Sequence, residues 1–210
     1  MESFVYFFIT IKHLGLNHGY QEIFIVLIIL YMIGSIPFSI IISKVIGLED
    51  PRNYGSENPG ATNVMRSGNK IAAISTLVGD FFKGYIPIYY LYNHHAYTLE
   101  DVWILSFIII LGHIYSIFLS FHGGKGVATS LGVILAIDFN IGCLLLITWI
   151  AVFYITRISG LSALISFLVF PFFINNILGS HLLSFAILNT ILIFASHRKN
   201  ISEFLISLKR

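Results

Sequence analysis

Apolar residues along this chain come in long unbroken runs, separated by short clusters of glycine, proline, asparagine and charge. A membrane-spanning helix needs about 20 mostly apolar residues, and Ile23 to Ile46 supplies such a stretch, interrupted by Gly34, Ser35 and Pro37. Ile71 to Leu91 and Val102 to Ser120 form two further spans, and Gly160 to Ile177 and Leu182 to Ser196 two more. Val127 to Ile137 and Ile141 to Ile155 read as helices that are short for a full crossing unless tilted or extended by their flanks. The pattern predicts an all-α, polytopic integral membrane protein with about seven transmembrane helices.

Composition agrees. Of 210 residues 57% are hydrophobic and only 10% charged, with mean hydropathy +0.87, whereas soluble domains carry about 25% charge. Phe4 to Ile11 is apolar but too short to span, and Lys12 follows it, which argues against a cleaved leader. We divide the chain into an interfacial extension (1–22), one transmembrane catalytic domain (23–196) and a basic tail (197–210). The single Cys143 excludes an intramolecular disulfide. A net charge of +2 without a basic stripe gives no reason to expect nucleic acid as a partner.

Lysine and arginine are distributed one-sidedly. With seven alternating crossings one side receives Lys44, Arg52, Arg66, Lys70, Lys125, Arg157, Arg198, Lys199, Lys209 and Arg210, and the other only Lys12. The positive-inside rule then predicts an external N-terminus and a cytoplasmic C-terminus. It also gathers four polar segments on the cytoplasmic rim: the long loop from Gly47 to Lys70, the glycine loop near Lys125, Arg157 to Gly160, and the tail from His197.

The chemistry those segments offer is anion binding. Phe121-His122-Gly123-Gly124-Lys125-Gly126-Val127-Ala128-Thr129 places three glycines around one lysine at the start of a helix, a phosphate cradle by pattern, although the spacing is not that of a Walker loop. A tight interhelical turn with a snorkelling lysine is the competing reading. The long loop adds Arg52, Ser56, Asn58, Thr62, Asn63 and Arg66 as donors. Gly34-Ser35-Ile36-Pro37 is either a site wall or a proline kink with Ser35 bonded to a preceding carbonyl. Asp80 and Lys83, three apart within a span, are read as an internal ion pair rather than a proton relay, and His113 as a hydrogen-bonded packing residue. There is no metal signature: His94-His95 is the only close histidine pair and lacks further ligands at the usual spacing. Nor is there a Gly-x-Ser-x-Gly elbow.

Several blocks together carry a resemblance: Gly34-Ser35-Ile36-Pro37-Phe38; Asp50-Pro51-Arg52 with Gly55-Ser56-Glu57-Asn58-Pro59-Gly60-Ala61-Thr62-Asn63-Val64-Met65-Arg66; Gly112-His113 with the glycine loop; and His197-Arg198-Lys199-Asn200-Ile201. In this order they resemble the bacterial acyl-phosphate:glycerol-3-phosphate acyltransferases, the PlsY family, over nearly the whole chain from Gly34 to Ile201. The resemblance implies an inner-membrane enzyme, its active site facing the cytoplasm, that moves a fatty acyl group from acyl phosphate to the first hydroxyl of glycerol 3-phosphate, giving lysophosphatidic acid. It implies no cofactor and no metal. Its implied partners are the two substrates, membrane lipids and an upstream enzyme that forms acyl phosphate.

By the same resemblance Ser35, Arg52, Lys125, His197 and Asn200 are the expected catalytic residues, and Asn58, Thr62, Asn63, Arg66, Gly123, Gly124, Gly126, Thr129 and Ser159 the expected substrate contacts. Three positions depart from the family pattern, which has lysine at His122, glycine at Glu57 and serine at Gly160; the last leaves open whether Ser159 takes the serine role. The alternative function is a transporter or channel for an anionic metabolite, which interrupted spans and glycine loops also mark. A lipid-binding scaffold without catalysis is a third reading, and gives no reason for four donor-rich segments on one side.

Overall fold

The structure, a computed structural model, describes residues 19–94 and 97–207. The expected N-terminal extension around Phe4 to Ile11, His95 of the histidine pair, and Lys209 and Arg210 of the tail lie outside these residues. All regular structure among the described residues is helical: α1 (Tyr20–Ser35), α2 (Phe38–Ile46), α3 (Ala61–Val64), α4 (Lys70–His94), α5 (Leu99–Ile114), α6 (Val127–Ile137), α7 (Phe139–Thr156), α8 (Ser159–Ile177), α9 (Leu183–Ser196) and α10 (Arg198–Ser207).

Each boundary has a local cause. Pro37 cannot donate a backbone hydrogen bond, so the first apolar run divides into α1 and α2, which meet at a 41° bend. Gly47 ends α2 at φ 76°, a left-handed conformation that glycine adopts without a Cβ penalty. Thr98 and Asp101 form a reciprocal capping box at the start of α5, and the Asp138 side chain accepts from the Ile141 amide to begin α7. The long polar stretch is not a plain loop. It folds into single turns at Pro51–Asn53 and Met65–Ser67 around the short α3.

The core lies among α1, α5, α6, α8 and α9, where Trp103 packs against Phe185 (ring centroids 4.2 Å apart) and Phe170 (6.4 Å). Two crossings are unusually close. A Cβ at Gly34 or Gly112 would run into backbone of the facing helix at the α1–α5 contact, and one at Gly84 or Gly132 would do so between α4 and α6. Small residues let helices in lipid gain contact where no hydrophobic driving force separates them from their solvent. The outer faces remain apolar: Ile71, Ile74, Val78, Phe82 and Ile86 of α4 are exposed, as are Ile147, Ile150 and Tyr154 of α7.

Four helical stretches are long and apolar enough to cross a membrane, five if the bent α1–α2 pair is one span. The predicted stretch Ile141 to Ile155 is among them, because its flanks extend α7 to 18 residues. The remaining two of the expected crossings, α6 and α9, have 11 and 14 residues. At 1.5 Å per residue they reach only about 16 and 21 Å, so a crossing at either position needs the adjoining turns.

Candidate active site

Five separate segments meet at one end of the bundle. The glycine loop enters α6 through Gly126, at φ 84°, and the Lys125 ammonium donates to Oδ1 of Asn200 on α10. The Ser196 hydroxyl lies 3.0 Å from the Lys125 carbonyl and 2.8 Å from that of Ile193. His197, which caps α9 and is buried, has Nδ1 2.8 Å from the Ile193 carbonyl. A carbonyl only accepts, so Nδ1 carries the proton and Nε2 keeps its lone pair. Burial, reinforced by the positive charge of Lys125 and opposed by the Ile193 carbonyl, pushes the pKa of His197 down to about 4. It is therefore neutral near pH 7.

The long loop reaches the same place from the other side. Thr62 and Ser159 hydroxyls lie 3.2 Å apart, and the Glu57 carboxylate pairs with Lys199 at 3.2 Å. Gly160, one residue beyond Ser159, faces Asn200: a Cβ there would sit 3.6 Å from the Asn200 amide. Positions 159 and 160 thus both border the site, Ser159 toward the loop and Gly160 toward the tail. Glu57 has φ 59°, the left-handed region that favours glycine. Lys199 partners the carboxylate that stands at this position.

Arg52 is held by its neighbour. Its Nη2 donates to Asp50 Oδ2 at 2.7 Å and its Nε to Oδ1 at 3.0 Å, while the Arg52 amide donates to Oδ1 at 2.9 Å. The hydrogen bonds from Arg52 hold the Asp50 carboxyl below its ordinary pKa, and the same pairing raises that of Arg52. With 47% of its side chain exposed, the guanidinium is oriented yet accessible.

Other expected contacts are engaged inside the protein. The Gly123 amide donates to Ile114 O (2.9 Å) and the Gly124 amide to His113 O (3.1 Å), so these two amides satisfy the carbonyls left unpaired at the end of α5 instead of facing a ligand. The glycines are needed there because any side chain would strike the His113 carbonyl or ring. Thr129 is fully buried, and its hydroxyl donates to Asp80 O at 2.9 Å across the α4–α6 contact. Asn63 gives its amide to Pro51 O (2.6 Å) and Tyr54 O (3.1 Å) and accepts from Ser56 N (2.9 Å), so it knits the loop together. Arg66 is exposed and passes over Gly55, and Asn58 is half-buried beside Gly60. The Ser35 hydroxyl donates not along its own helix but across to Gly112 O at 3.2 Å, and the Ser35 carbonyl accepts from Ser116 at 2.6 Å.

Sequence reasoning passed over Ser196 and Ser116, whose hydroxyls tie segments more than 70 positions apart, and no local spacing marks such serines. It also stopped short of the cluster beneath the site. Asp80 and Lys83 do pair, at 2.8 Å and almost completely buried, and Lys83 donates as well to Ile36 O at 2.7 Å. A small cavity of about 10 Å³ joins Ser35, Pro59, Asp80, Lys83, His113, Ser116 and Gly124, which links the helix break, the long loop and the glycine loop.

A family model for glycerol-3-phosphate acyltransferases matches residues 24–206. The chain belongs to the glycerol-3-phosphate acyltransferase family. Curated relatives include the glycerol-3-phosphate acyltransferases of Paraburkholderia phytofirmans (46% identical over 186 residues, 86% of each chain) and of Janthinobacterium sp. strain Marseille (44% over 180 residues, 83% of this chain and 89% of the relative). The fold is similar to that of crystalline PlsY, an integral membrane glycerol 3-phosphate acyltransferase, in its glycerol 3-phosphate form (TM-score 0.80, 32% identity, 88% of this chain and 92% of that one). Its lysophosphatidic acid form matches with TM-score 0.78. Family membership and the apolar helices together make this a multi-pass membrane acyltransferase.

Proposed function

We propose that the protein transfers a fatty acyl group from acyl phosphate to the first hydroxyl of glycerol 3-phosphate, forming lysophosphatidic acid and releasing phosphate. The observation that carries this is the meeting of Lys125, Asn200 and neutral His197 beside the exposed guanidinium-bearing loop, in a chain of this family. Lys125 binds phosphate as a compact point charge and Arg52 as a planar fork. Asn58, Thr62, Arg66 and Ser159 supply further donors around the substrates, while Gly123, Gly124, Asn63 and Thr129 shape the walls that hold them.

The chemistry needs a hydroxyl to attack the acyl carbonyl, a C–O bond to form, the mixed anhydride C–O bond to break, and one proton to move. A histidine whose pKa is about 4 is a weak base at neutral pH. The departing phosphate, with a second pKa of about 6 on the scale of phosphomonoesters, is the better final acceptor. His197 then orients the attacking hydroxyl through Nε2, and the cations offset charge on the leaving group.

The site lies on the cytoplasmic side of the bacterial inner membrane in this reading, with all seven apolar segments crossing and an upstream enzyme supplying acyl phosphate. The one-sided lysine and arginine distribution supports that orientation. The assay uses purified protein in detergent micelles with acyl phosphate and labelled glycerol 3-phosphate, with and without EDTA. Ester formation that survives EDTA is the expected result. No ester, or flux of glycerol 3-phosphate across sealed vesicles without product, overturns it in favour of transport. Cysteines at Lys70 and Asn93, near the two ends of α4, test the orientation: labelling from opposite faces, with 70 cytoplasmic, is expected, and labelling from one face removes the topology.

A further inference from the structure

Beneath the site, Asp80, Lys83 and His113 form a buried polar cluster to which acyl transfer gives no direct part. Lys83 Nζ bridges Asp80 Oδ1 (2.8 Å) and Ile36 O (2.7 Å), and Ile36 stands at the α1–α2 break next to Ser35. Gly79 of α4 lies against the Phe38 ring just past that break, and the Lys83 ammonium sits 5.7 Å from the same ring. One face of α4 therefore seats the break. The Asp80 carbonyl meanwhile accepts from Thr129 on α6, the helix that the glycine loop begins.

His113 completes the connection. Its ring is buried against Gly124, its carbonyl accepts the Gly124 amide (3.1 Å), and its Nδ1 faces Asp80 Oδ1 at 3.6 Å. That distance exceeds a hydrogen bond, and Nδ1 has no hydrogen-bond partner. His113 also lines the small cavity shared by Ser35, Lys83, Ser116 and Gly124. Burying a charged pair and an imidazole among apolar helices is costly, and a plain packing contact between α4 and α5 is made more cheaply by leucine. What the ionic groups supply and leucine cannot is direction: one ammonium held between a carboxylate and a particular carbonyl fixes where the helix break lies relative to the glycine loop.

We propose that Asp80, Lys83 and His113 are positioning residues that set the Ser35–Pro37 break against Gly124–Lys125, and so fix where the Lys125 ammonium, the phosphate-binding cation of the reading above, stands relative to that break. This rests on the acyltransferase reading above. The cluster touches no substrate; it acts through Ile36 and Gly124.

The test compares the parent enzyme in detergent with two variants. Asp80→Asn/Lys83→Met removes both charges together, so no buried charge is left alone, and His113→Asn leaves the ion pair intact. Melting temperature, kcat and KM for both substrates, and backbone hydrogen exchange over residues 33–40 and 120–127 are measured for each. The expected double variant keeps its melting temperature within a few degrees and its KM values within about threefold, while kcat falls about 100-fold, the scale of an ångström's misplacement. His113→Asn is expected to lower kcat about tenfold, with faster exchange over 120–127. A packing role alone would lower melting temperature and leave the kcat of the folded fraction unchanged, and that result in either folded variant overturns the proposal. If the double variant does not fold, His113→Asn decides: kcat within about threefold of the parent overturns, a larger loss at unchanged KM supports. A parent enzyme that makes no ester sinks the acyltransferase reading separately. Exchange then still reports on the cluster, and unchanged exchange over both segments overturns it.

Discussion

Two carboxylate–cation pairs of nearly equal length show what burial does to the same interaction. Asp50 and Arg52 meet at 2.7 Å with side chains 27% and 47% exposed, while Asp80 and Lys83 meet at 2.8 Å with 5% and 2% exposed. Both are local, two and three residues apart. In water the first competes with solvent and contributes little to stability, so Arg52 is available to exchange its carboxylate for a phosphate. Neither partner of the second can leave without stranding the other in a medium that cannot solvate it. The exposed pair presents a group, and the buried pair fixes a frame.

Removing one partner from each pair breaks the comparison most directly. Asp80→Ala is expected to destabilise the protein by about 3–5 kcal/mol, because Lys83 is left buried and uncompensated. Asp50→Ala is expected to stay within about 1 kcal/mol. Thermal unfolding in detergent checks both, and equal effects would end the distinction.

Acidification gives the next largest effect, through His197. Its folded pKa, about 4, lies below the ordinary value of 6.5, so between these values the unfolded chain binds a proton that the native state refuses. Stability is then fully present above pH 6.5 and falls as pH drops toward 4, by up to about 3 kcal/mol at 1.36 kcal/mol per pKa unit. His197→Gln should flatten the melting-temperature profile across that window while leaving the Asp50 contribution, which is lost only at lower pH. A profile as steep in the variant as in the parent would assign the acid sensitivity to other groups.

Lys125 lies between the two extremes, half-buried and bonded to Asn200. Lys125→Ala should lose a charge-assisted contact worth roughly 1.5–3 kcal/mol, or about 10- to 150-fold in kcat/KM. Lys125→Arg should restore only part of it, since a planar guanidinium does not reproduce the compact ammonium's contact with Asn200. Loss confined to KM marks a contact to the ground state, and loss in kcat marks charge developing on the departing phosphate. A folded Lys125→Ala enzyme with full activity at subsaturating substrate removes its phosphate-binding role.

The smallest expected effect belongs to the most exposed pair. Lys199 and Glu57 have side chains 64% and 66% exposed, and Lys199→Ala should change stability by less than about 1 kcal/mol, a difference that vanishes in 1 M salt. A larger, salt-insensitive loss would mean that this link fastens α10 to the loop.

What the sequence disclosed, and what it withheld, follows the same division between local and distant causes. The helix from Val127 to Ile137, the break at Pro37 and the Asp80–Lys83 pair are set by residues within a turn of one another, and all three were legible. The two glycine amides at 123 and 124 looked available for an anion, because nothing nearby in the chain shows that the end of α5 folds back to claim them. Asn63 and Thr129 looked like free donors for the same reason, their acceptors being fixed only once the loop closes and α4 meets α6. The choice between Ser159 and Gly160 depended on Thr62 and Asn200, each distant in sequence and on opposite sides of the start of α8.

The end of α7 carries one further consequence. There Trp149 and Phe153 stack, and the Arg157 guanidinium lies 5.2 Å over the Tyr154 ring, two residues before Ser159. Aromatic rings with polar edges, and arginines beside them, settle at the level of lipid headgroups. By that rule the rim beside Arg157 belongs at headgroup depth. In the acyl-transfer reading proposed above, a donor whose phosphate floats at that level and whose tail hangs among its neighbours drifts in sideways, and the lipid that receives its acyl chain drifts out the same way, with no step at which that chain is lifted into water.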